Sequence, residues 1–400
     1  MKVKAPIFIA ECIYLFIIIS SVSNLRYQLT LQNSWYKVFL ISILVVLFLD
    51  VLYLSISMRE NHGRISLMII LAVLFLCYEM VISYFNGLFY IVGIVRDVLP
   101  WPLTFAVLYT HIKKYGIPKR YPLLTVLGLS LCCLLSIPNI ARHLIDYGRS
   151  GGVIFPVYYC IAYLGIAMRI CKKKIIYPFM IVVAVLLIVS TKRAGTLVLL
   201  VGVVLYLLMD AHIQGDLKRR ARRMILYFAL LMIGVAVIYV VITKYNIITF
   251  SRFTTLSEDE GSGRGLIWRT VMQHFMDSPV PQKIFGHGYH SVAYTVYIWA
   301  QAHSMAHNSY METLYDYGVV GLLFVSLFTI YLLISTIQMF RARSRNLPAM
   351  AYAMVGTVIF GLVSYFFEQS IIIMVYLVIW SICLGDEKQR NSLKRKKRNL

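Results

Sequence analysis

Long apolar segments recur along almost the whole chain, separated by short polar connections. Each segment is about 15–23 residues long, which is enough for a helix to cross a bilayer, directly or with some tilt. We therefore predict an all-α, polytopic integral membrane protein with about twelve transmembrane helices. The predicted spans lie near residues 5–23, 36–57, 65–85, 88–110, 121–137, 152–170, 176–190, 194–210, 224–243, 317–338, 350–367 and 370–384.

Composition agrees with this prediction. Of the 400 residues, 60% are hydrophobic and only 14% are charged, whereas a soluble domain is about a quarter charged. A net charge of +22 would indicate a nucleic-acid partner in a soluble protein. Here the basic residues stand in the connections between apolar segments, so no nucleic-acid partner is predicted.

The basic clusters predict the orientation, because cytoplasmic loops carry an excess of Lys and Arg. With the N-terminus in the cytoplasm, all of the clusters fall inside and the C-terminus is also cytoplasmic. The cost of burying charges in a membrane separates 176–190 from 194–210, since the adjacent Lys192 and Arg193 would be costly in the middle of one long span. The clusters lie at 113–114, 119–120, 172–174, 218–223, 341–345 and 394–398.

This topology divides the chain into four parts. An N-terminal transmembrane bundle (1–243) precedes one large extracytoplasmic loop (244–316). C-terminal transmembrane helices (317–384) precede a basic cytoplasmic tail (385–400), which is expected to be disordered because its charges repel. Within the loop, turn residues separate two expected amphipathic helices, at 264–277 and 291–302.

The chain shows no metal-ligand spacing and no disulfide framework, although it contains seven cysteines. No metal and no cofactor is therefore predicted. A nucleotide-sugar module is also absent from the sequence pattern, so any donor must arrive already activated. The charged residues in or near spans are too scattered to predict a proton relay; Arg96 and Asp97, being adjacent, are expected to point to different helix faces and not to pair.

Two arginines are candidate anion ligands. Arg193 lies in the external turn "STKRAG", where a cation runs against the usual charge bias; an interfacial, snorkelling side chain is the alternative. Arg264 in "GSGRGLIW" heads a helical pattern, and an arginine beside a helix N-terminus suits a phosphate. A solvated loop arginine that answers the acidic run 258–260 is the alternative for Arg264.

The stretch "HNSYMETLYDYG" begins at His307, just before an apolar run. Ser309 and Glu312 have the spacing of a capping box, which predicts a helix start near Ser309. His307 then faces a helix N-terminus, which favours neutral imidazole, and a neutral histidine is a usable general base. The alternative is a histidine that only hydrogen-bonds the turn.

"SGRGLIWRTVMQHFMDSPVPQKIFGHGYHS" followed by "HNSYMETLYDYGVVGLLFV" resembles the O-antigen ligase and Wzy-type polysaccharide polymerase superfamily. The shared features are an arginine in a short outer-face turn, an R-x-x-x-W segment and a His-Asn segment that ends in glycine. In motifs the resemblance covers about residues 190–335, and in topology it covers the whole chain.

The resemblance implies a metal-independent, GT-C-like glycosyltransferase in the bacterial cytoplasmic (inner or plasma) membrane, with its active site on the outer face. Its donor would be an oligosaccharide on undecaprenyl diphosphate. Arg193 and Arg264 would hold the diphosphate, and His307 would deprotonate the acceptor hydroxyl. His303 and His290 stand close enough in sequence to replace His307. The remaining accessory candidates are Arg269, Glu312 and Asn308.

The function expected from the sequence is that of a polymerase joining lipid-linked repeat units into capsule, O-antigen or exopolysaccharide. Its partners would be the donor lipid, an acceptor glycan, membrane lipid and a chain-length regulator protein. A ligase that moves the finished glycan to another acceptor shares the motifs. A lipid-linked oligosaccharide flippase is a weaker alternative, because it has little use for a long external loop. A peptidoglycan polymerase would instead need a carboxylate among residues 258–260.

Overall fold

The computed structural model describes residues 5–60, 67–87, 91–97, 100–147, 156–190, 193–213, 222, 225, 264–295, 297–299, 302–303, 305–364, 366–367 and 370–398. This part of the chain is a helical bundle with one short antiparallel hairpin. In chain order the elements are α1 Ala5–Thr30, α2 Asn33–Glu60, α3 Leu67–Phe85, α4 Ile91–Asp97, α5 Pro100–Tyr115, α6 Tyr121–Tyr147, α7 Pro156–Ile170, α8 Lys173–Ser190, α9 Arg193–Ile213, α10 Arg264–Asp277, α11 Val280–Phe285, α12 Ser291–Thr295, β1 Tyr297–Trp299, β2 Ala302–His303, α13 Ser309–Arg341, α14 Leu347–Val363 and α15 Ser370–Arg398.

Five of these helices, α1, α2, α6, α9 and α13, are long and apolar enough to cross a membrane. Shorter apolar helices lie at Val73–Phe85, Val157–Ile170 and Leu347–Val363. The protein is therefore a multi-pass helical membrane protein, as predicted. The count of twelve spans stays a prediction, and the span predicted at 224–243 falls outside the described residues.

The apolar part of α15 forms the centre of the bundle. Residues 372–384 of this helix are almost wholly buried, and the helix packs along α5 and α7. By contrast, α2 and α13 each keep an outward apolar stripe: Phe48 is 66% exposed and Leu323 is 56% exposed. Large exposed apolar side chains on long helices are what a lipid-facing surface requires, because lipid replaces protein as their apolar surroundings.

One predicted span is wrong as a single helix. Residues 88–110 contain two helices, the short α4 and the longer α5. Proline fixes its own backbone and disfavours the helical conformation of the residue before it. Pro100, the first residue of α5, therefore ends the helical path that started in α4.

The helix predicted at 291–302 is also wrong. Among the described residues of this range, Ser291–Thr295 is helical, and β1 and β2 then pair as antiparallel strands, with Tyr297 opposite His303. Aromatic and β-branched residues in this segment fit a strand as well as a helix. The contacts across the hairpin decide between the two, and an apolar pattern does not contain them.

The expectation of a disordered tail after Gly385 is corrected, because α15 continues to Arg398. Asp386 secures this extension. Its carboxylate accepts hydrogen bonds from Arg169 (2.9 Å), Arg345 (3.0 Å) and Asn346 (3.0 Å). Lysines and arginines near a helix C-terminus interact favourably with the helix dipole, so a basic run is compatible with a helix end.

Candidate active site

Residues 264–308, together with the helix ends that they cover, are called here the loop face. Its helices share a small apolar core, in which Ile267, Val271 and Phe275 of α10 pack against Val292 and Tyr315. The spacing of four residues places the three α10 side chains on one side of the helix. The amphipathic helix predicted at 264–277 is therefore confirmed, and it lies against the first turns of α13.

Trp268 joins α10 to the start of α13. Its indole N–H donates to the carbonyl oxygen of Ala306 at 2.8 Å. The N–H of Ala306 donates to the Glu312 carboxylate, Oε2, at 2.6 Å, and the Ala306 side chain is fully buried. The backbone just before His307 is thus held from both sides, by α10 and by α13.

His307 lies between Ala306, which Trp268 and Glu312 hold by hydrogen bonds, and the helix cap Asn308. It is half-buried, with a left-handed backbone at φ 52°, a conformation that is uncommon for residues other than glycine. Asn308 caps α13, because its Oδ1 accepts the N–H groups of Tyr310 (3.1 Å) and Met311 (3.2 Å). As predicted, α13 begins at Ser309, and His307 immediately precedes the cap.

The predicted capping box is wrong in its register. Asn308 is the cap, since its side chain reaches two of the free N–H groups at the helix start. Ser309 instead connects α13 to the segment after α14. Its hydroxyl donates to the carbonyl of Ser364 at 3.2 Å and accepts the N–H of Phe366 and of Phe367.

Tyr158 lies near the starts of both α9 and α10. The Arg264 guanidinium lies close enough to the Tyr158 phenol for an electrostatic interaction. The Tyr158 ring lies against Gly195, where an added Cβ would be 2.9 Å from its Cε1. Gly195 is two residues after Arg193, the first residue of α9. The start of α9 and the Arg264 guanidinium therefore both lie near Tyr158, while the Arg193 side chain is outside the described residues.

Helix starts present free N–H groups and a positive dipole end, which favour an anion. Here two such starts, each headed by an arginine, lie near the same Tyr158 side chain. The Trp268 hydrogen bond places His307 next to the same helix. The arrangement can bind a polyanion beside a residue that can accept a proton.

The other candidate residues lie elsewhere on the loop face. His290 is buried, with Nε2 3.6 Å from Oδ2 of Asp97. His303 belongs to β2, and its side chain is outside the described residues. Arg269 is exposed on α10, where its Nε donates to the carbonyl of Gly265 at 3.3 Å. Asn308 directly follows His307 and caps α13, and the Glu312 carboxylate accepts the N–H of Ala306.

A buried polar network lies below the turn 286–290. Arg96 donates through Nε to Oδ1 of Asp97 at 2.7 Å, which corrects the expectation that the two would not pair. Helix α4 ends at Asp97, so helical side-chain directions no longer separate the pair there. The Tyr289 hydroxyl donates to Oδ2 of Asp97 at 2.6 Å. Burial, with the Asp97 carboxylate as a second cause, raises the pKa of Tyr289 above its usual range.

Two glycines allow this turn to cross α13. Gly318 interrupts the helix at φ 64°, and the N–H of Gly288 donates to the carbonyl of Asp316 at 2.8 Å. A Cβ on Gly286 would lie 2.2 Å from the Asp316 carbonyl oxygen, and one on Gly318 would lie 2.3 Å from that of Ile284. Neither position accepts a side chain, so the close backbone approach depends on both glycines.

His287 fixes the same turn from outside. Its ring stacks on Tyr315 with centroids 4.1 Å apart. Nδ1 donates to the Tyr315 carbonyl at 3.0 Å, and Nε2 lies 3.0 Å from the Ser278 hydroxyl. Burial lowers the pKa of His287, although the bond to the Tyr315 carbonyl opposes this.

Sequence reasoning missed the contributions of Trp268, Asp316 and Tyr78. The Tyr78 hydroxyl lies 2.9 Å from the carbonyl of Phe285 and 2.7 Å from that of Tyr317, where the helix is interrupted. The signal for Trp268 was its fixed place one turn after Arg264. For Asp316 the signal was a carboxylate at the start of an apolar run. For Tyr78 the sequence contains no such signal.

Residues 178–326 match the family model Wzy_C, described as O-antigen ligase. The matched range includes all of the predicted site residues, from Arg193 to Glu312. Among curated proteins, no significant match was found. The resemblance indicated by the motifs is confirmed over this range.

Proposed function

Because residues 178–326 match a family model described as O-antigen ligase, we propose that this protein is a polysaccharide polymerase of the similar Wzy type. It transfers a glycan from undecaprenyl diphosphate-linked repeat units to the end of another lipid-linked glycan. The reaction takes place on the outer face of the bacterial cytoplasmic membrane, where the loop face lies when both termini are cytoplasmic.

The observation that carries this proposal is the hydrogen bond between Trp268 and Ala306 (2.8 Å). It ties the helix headed by Arg264 to the residue before His307. An anion ligand and a proton acceptor, which lie 43 residues apart in the chain, are thereby held on one small apolar core. Fixed mutual geometry of this kind is what a displacement reaction requires.

The proposed chemistry uses Arg264 and Arg193 on the donor and His307 on the acceptor. His307 takes the proton of the acceptor hydroxyl as its oxygen bonds to the anomeric carbon. The bond between that carbon and the diphosphate oxygen breaks, and its electron pair leaves with undecaprenyl diphosphate. The two guanidinium groups neutralise the charge that develops on the leaving group. The proton on His307 then passes to water, and the chemistry requires no metal.

The test supplies the purified, membrane-reconstituted protein with labelled lipid-linked repeat units and no second acceptor. A ladder of lengthening products is the expected result, and Arg264→Ala should reduce it strongly. Lys283→Ala, which removes a cation from the neighbouring α11, is the matched control and should retain the ladder. If the wild-type protein gives no transfer, either from repeat units alone or after a second acceptor is added, the proposal fails.

A ligase that moves a finished glycan to a different acceptor is the second candidate, and the description of the matched family favours it. The same residues would serve, because the donor diphosphate and the acceptor hydroxyl are chemically alike in both reactions. The two are separated by the acceptor. No ladder from repeat units alone, together with transfer after a second acceptor glycan is added, identifies the ligase.

A further inference from the structure

We propose that His290, Glu312 and Asp316 bind one divalent transition-metal cation, Zn²⁺ or Mn²⁺, that fastens the turn 286–290 to the start of α13. Each residue offers one ligand atom, and the three atoms lie within 4.8 Å of one another. This is the one such group among the described residues. No role in the transfer chemistry is assigned to this cation.

The first argument is that the cluster contains ligand atoms without partners. Glu312 is fully buried and His290 is 9% exposed. Within the described part of the chain, neither Oε1 of Glu312 nor Nδ1 of His290 has a hydrogen-bond partner. Buried polar atoms are nearly always satisfied, because leaving one unpaired lowers the stability of the fold. A cation between these atoms satisfies both.

The second argument is charge. Glu79, also buried, has an unpartnered Oε2 and interacts electrostatically with Asp316. Glu312 interacts with Asp316 in the same way. The guanidinium of Arg96 is already paired with Asp97. Three buried carboxylates therefore lie near one another, while Arg96 is paired with a fourth, Asp97. Buried charges are found paired or bound to metal.

The third argument is the chemistry of the donor set. One imidazole and two carboxylates suit Zn²⁺ or Mn²⁺ better than Ca²⁺, which takes oxygen ligands. The carboxylates are also oriented from behind, as metal ligands usually are. Oδ1 of Asp316 accepts from the Ser291 hydroxyl (2.6 Å) and from the N–H of Val292 (3.0 Å). Oε2 of Glu312 accepts from the N–H of Ala306.

The position of Glu312 gives the cation a consequence. The same carboxylate that would bind the ion holds Ala306, the residue before His307. An ion at this site would stiffen the backbone that positions His307 without contacting substrate. This consequence for transfer rests on the proposed function, whereas binding of the ion does not.

The experiment measures metal content of the purified full-length protein by inductively coupled plasma mass spectrometry. The protein is first stripped with a chelator and then dialysed with Zn²⁺ or Mn²⁺ alone. About one ion per chain is expected to remain, with a rise of about 3 °C in unfolding temperature at a metal concentration ~100 times Kd. No substrate is present, so failure here is distinct from failure of the proposed function.

The variants Glu312→Gln and Asp316→Asn keep an oxygen for each hydrogen bond and remove the charge. His290→Asn suits the left-handed backbone at this position, φ 55°. All three are expected to lose the ion and the thermal shift. Asp277→Asn removes an exposed carboxylate at the end of α10 and should keep both. A wild-type protein that retains neither ion, or ligand variants that still retain it, would overturn the proposal.

Discussion

The two ends of the bundle both bury carboxylates, but they treat them differently. At the end formed by α7, α14 and α15, Asp386 accepts hydrogen bonds from Arg169, Arg345 and Asn346. At the loop face, Glu312 and His290 each keep a buried atom without a partner among the described residues. The first group is satisfied by the protein itself, and the second is not.

The difference separates structure from function. A carboxylate surrounded by guanidinium and amide donors needs nothing more, so the Asp386 group contributes stability and the ends of three helices stay together. Unsatisfied titratable groups beside a helix start cost stability, and such groups concentrate at sites that bind or react. We therefore expect changes at the loop face to affect transfer first and changes at the Asp386 group to affect folding first.

The largest expected effect is that of His307→Asn. Asparagine tolerates the left-handed backbone that His307 adopts, so folding should be preserved. Loss of a general base lowers a rate by about 10²–10⁴-fold, and glycan transfer should fall by that factor with an unchanged unfolding temperature. His274→Asn, an exposed position on α10, is the control. Full transfer by the His307 variant would show that His307 is not the general base.

Gly318→Ala is expected to have the next largest effect. The new Cβ would lie 2.3 Å from the Ile284 carbonyl, so the turn 284–288 must move off α13. Gly87→Ala is a matched control, because Gly87 has a similar φ of 68° but nothing within 4 Å of an added Cβ. The control should lose about 1–2 kcal/mol from the left-handed backbone alone, and Gly318→Ala should lose clearly more. If chemical denaturation shows equal losses of unfolding free energy in the two variants, the turn 284–288 does not pack tightly against α13.

At the opposite end, Asp386→Asn should destabilise the fold and spare the chemistry. It leaves Arg169, 11% exposed at its side chain, without its carboxylate. Removing one partner of a buried pair costs about 3–5 kcal/mol, so the unfolding midpoint should drop. Transfer per folded molecule should stay at the wild-type level. A variant with wild-type stability but impaired transfer would reverse the roles assigned to the two ends.

Trp268→Phe tests whether the hydrogen bond to Ala306 positions His307. Phenylalanine keeps most of the packing and removes the donor, so stability should change by only about 1 kcal/mol. The reaction rate kcat should fall about tenfold, because the base is less well aligned, while KM stays nearly unchanged. If KM rises and kcat does not, Trp268 acts on binding and not on the position of His307.

The two ends also differ in how far the sequence predicts them. Helices such as α1, α2 and α9 follow from apolar length alone, since a bilayer imposes that length on any span. The helix starts near Arg264 and Ser309 follow from local turn and cap residues, although the cap of α13 is Asn308 and not Ser309. Contacts distant in sequence do not follow from local pattern: Trp268 with Ala306, Gly286 with Asp316, and Asp386 with Arg169. The hairpin 297–303 was missed for the same reason.

The candidate site residues were easier to predict than the residues that support them. Arg264 and His307 carry chemistry that a motif records, whereas Tyr78 acts only through a hydroxyl that reaches two carbonyls more than 200 residues away. Such supports depend on the folded arrangement of several helices. The pairing of Arg96 with Asp97 was missed because α4 ends at Asp97, and the apolar pattern does not mark that end.

The smallest expected effect concerns His287, which links the loop face to pH. Burial lowers its pKa in the folded protein below the unfolded value of about 6.5. The folded state then binds fewer protons, so its stability is fully present above pH ~6.5 and declines as pH falls below that value toward the folded pKa. His287→Gln should make the unfolding temperature less sensitive to pH between about 7.5 and 5.5. Wild-type and variant curves that stay parallel over this range would show that His287 does not titrate on unfolding, and the stacked ring would then serve only to hold Tyr315.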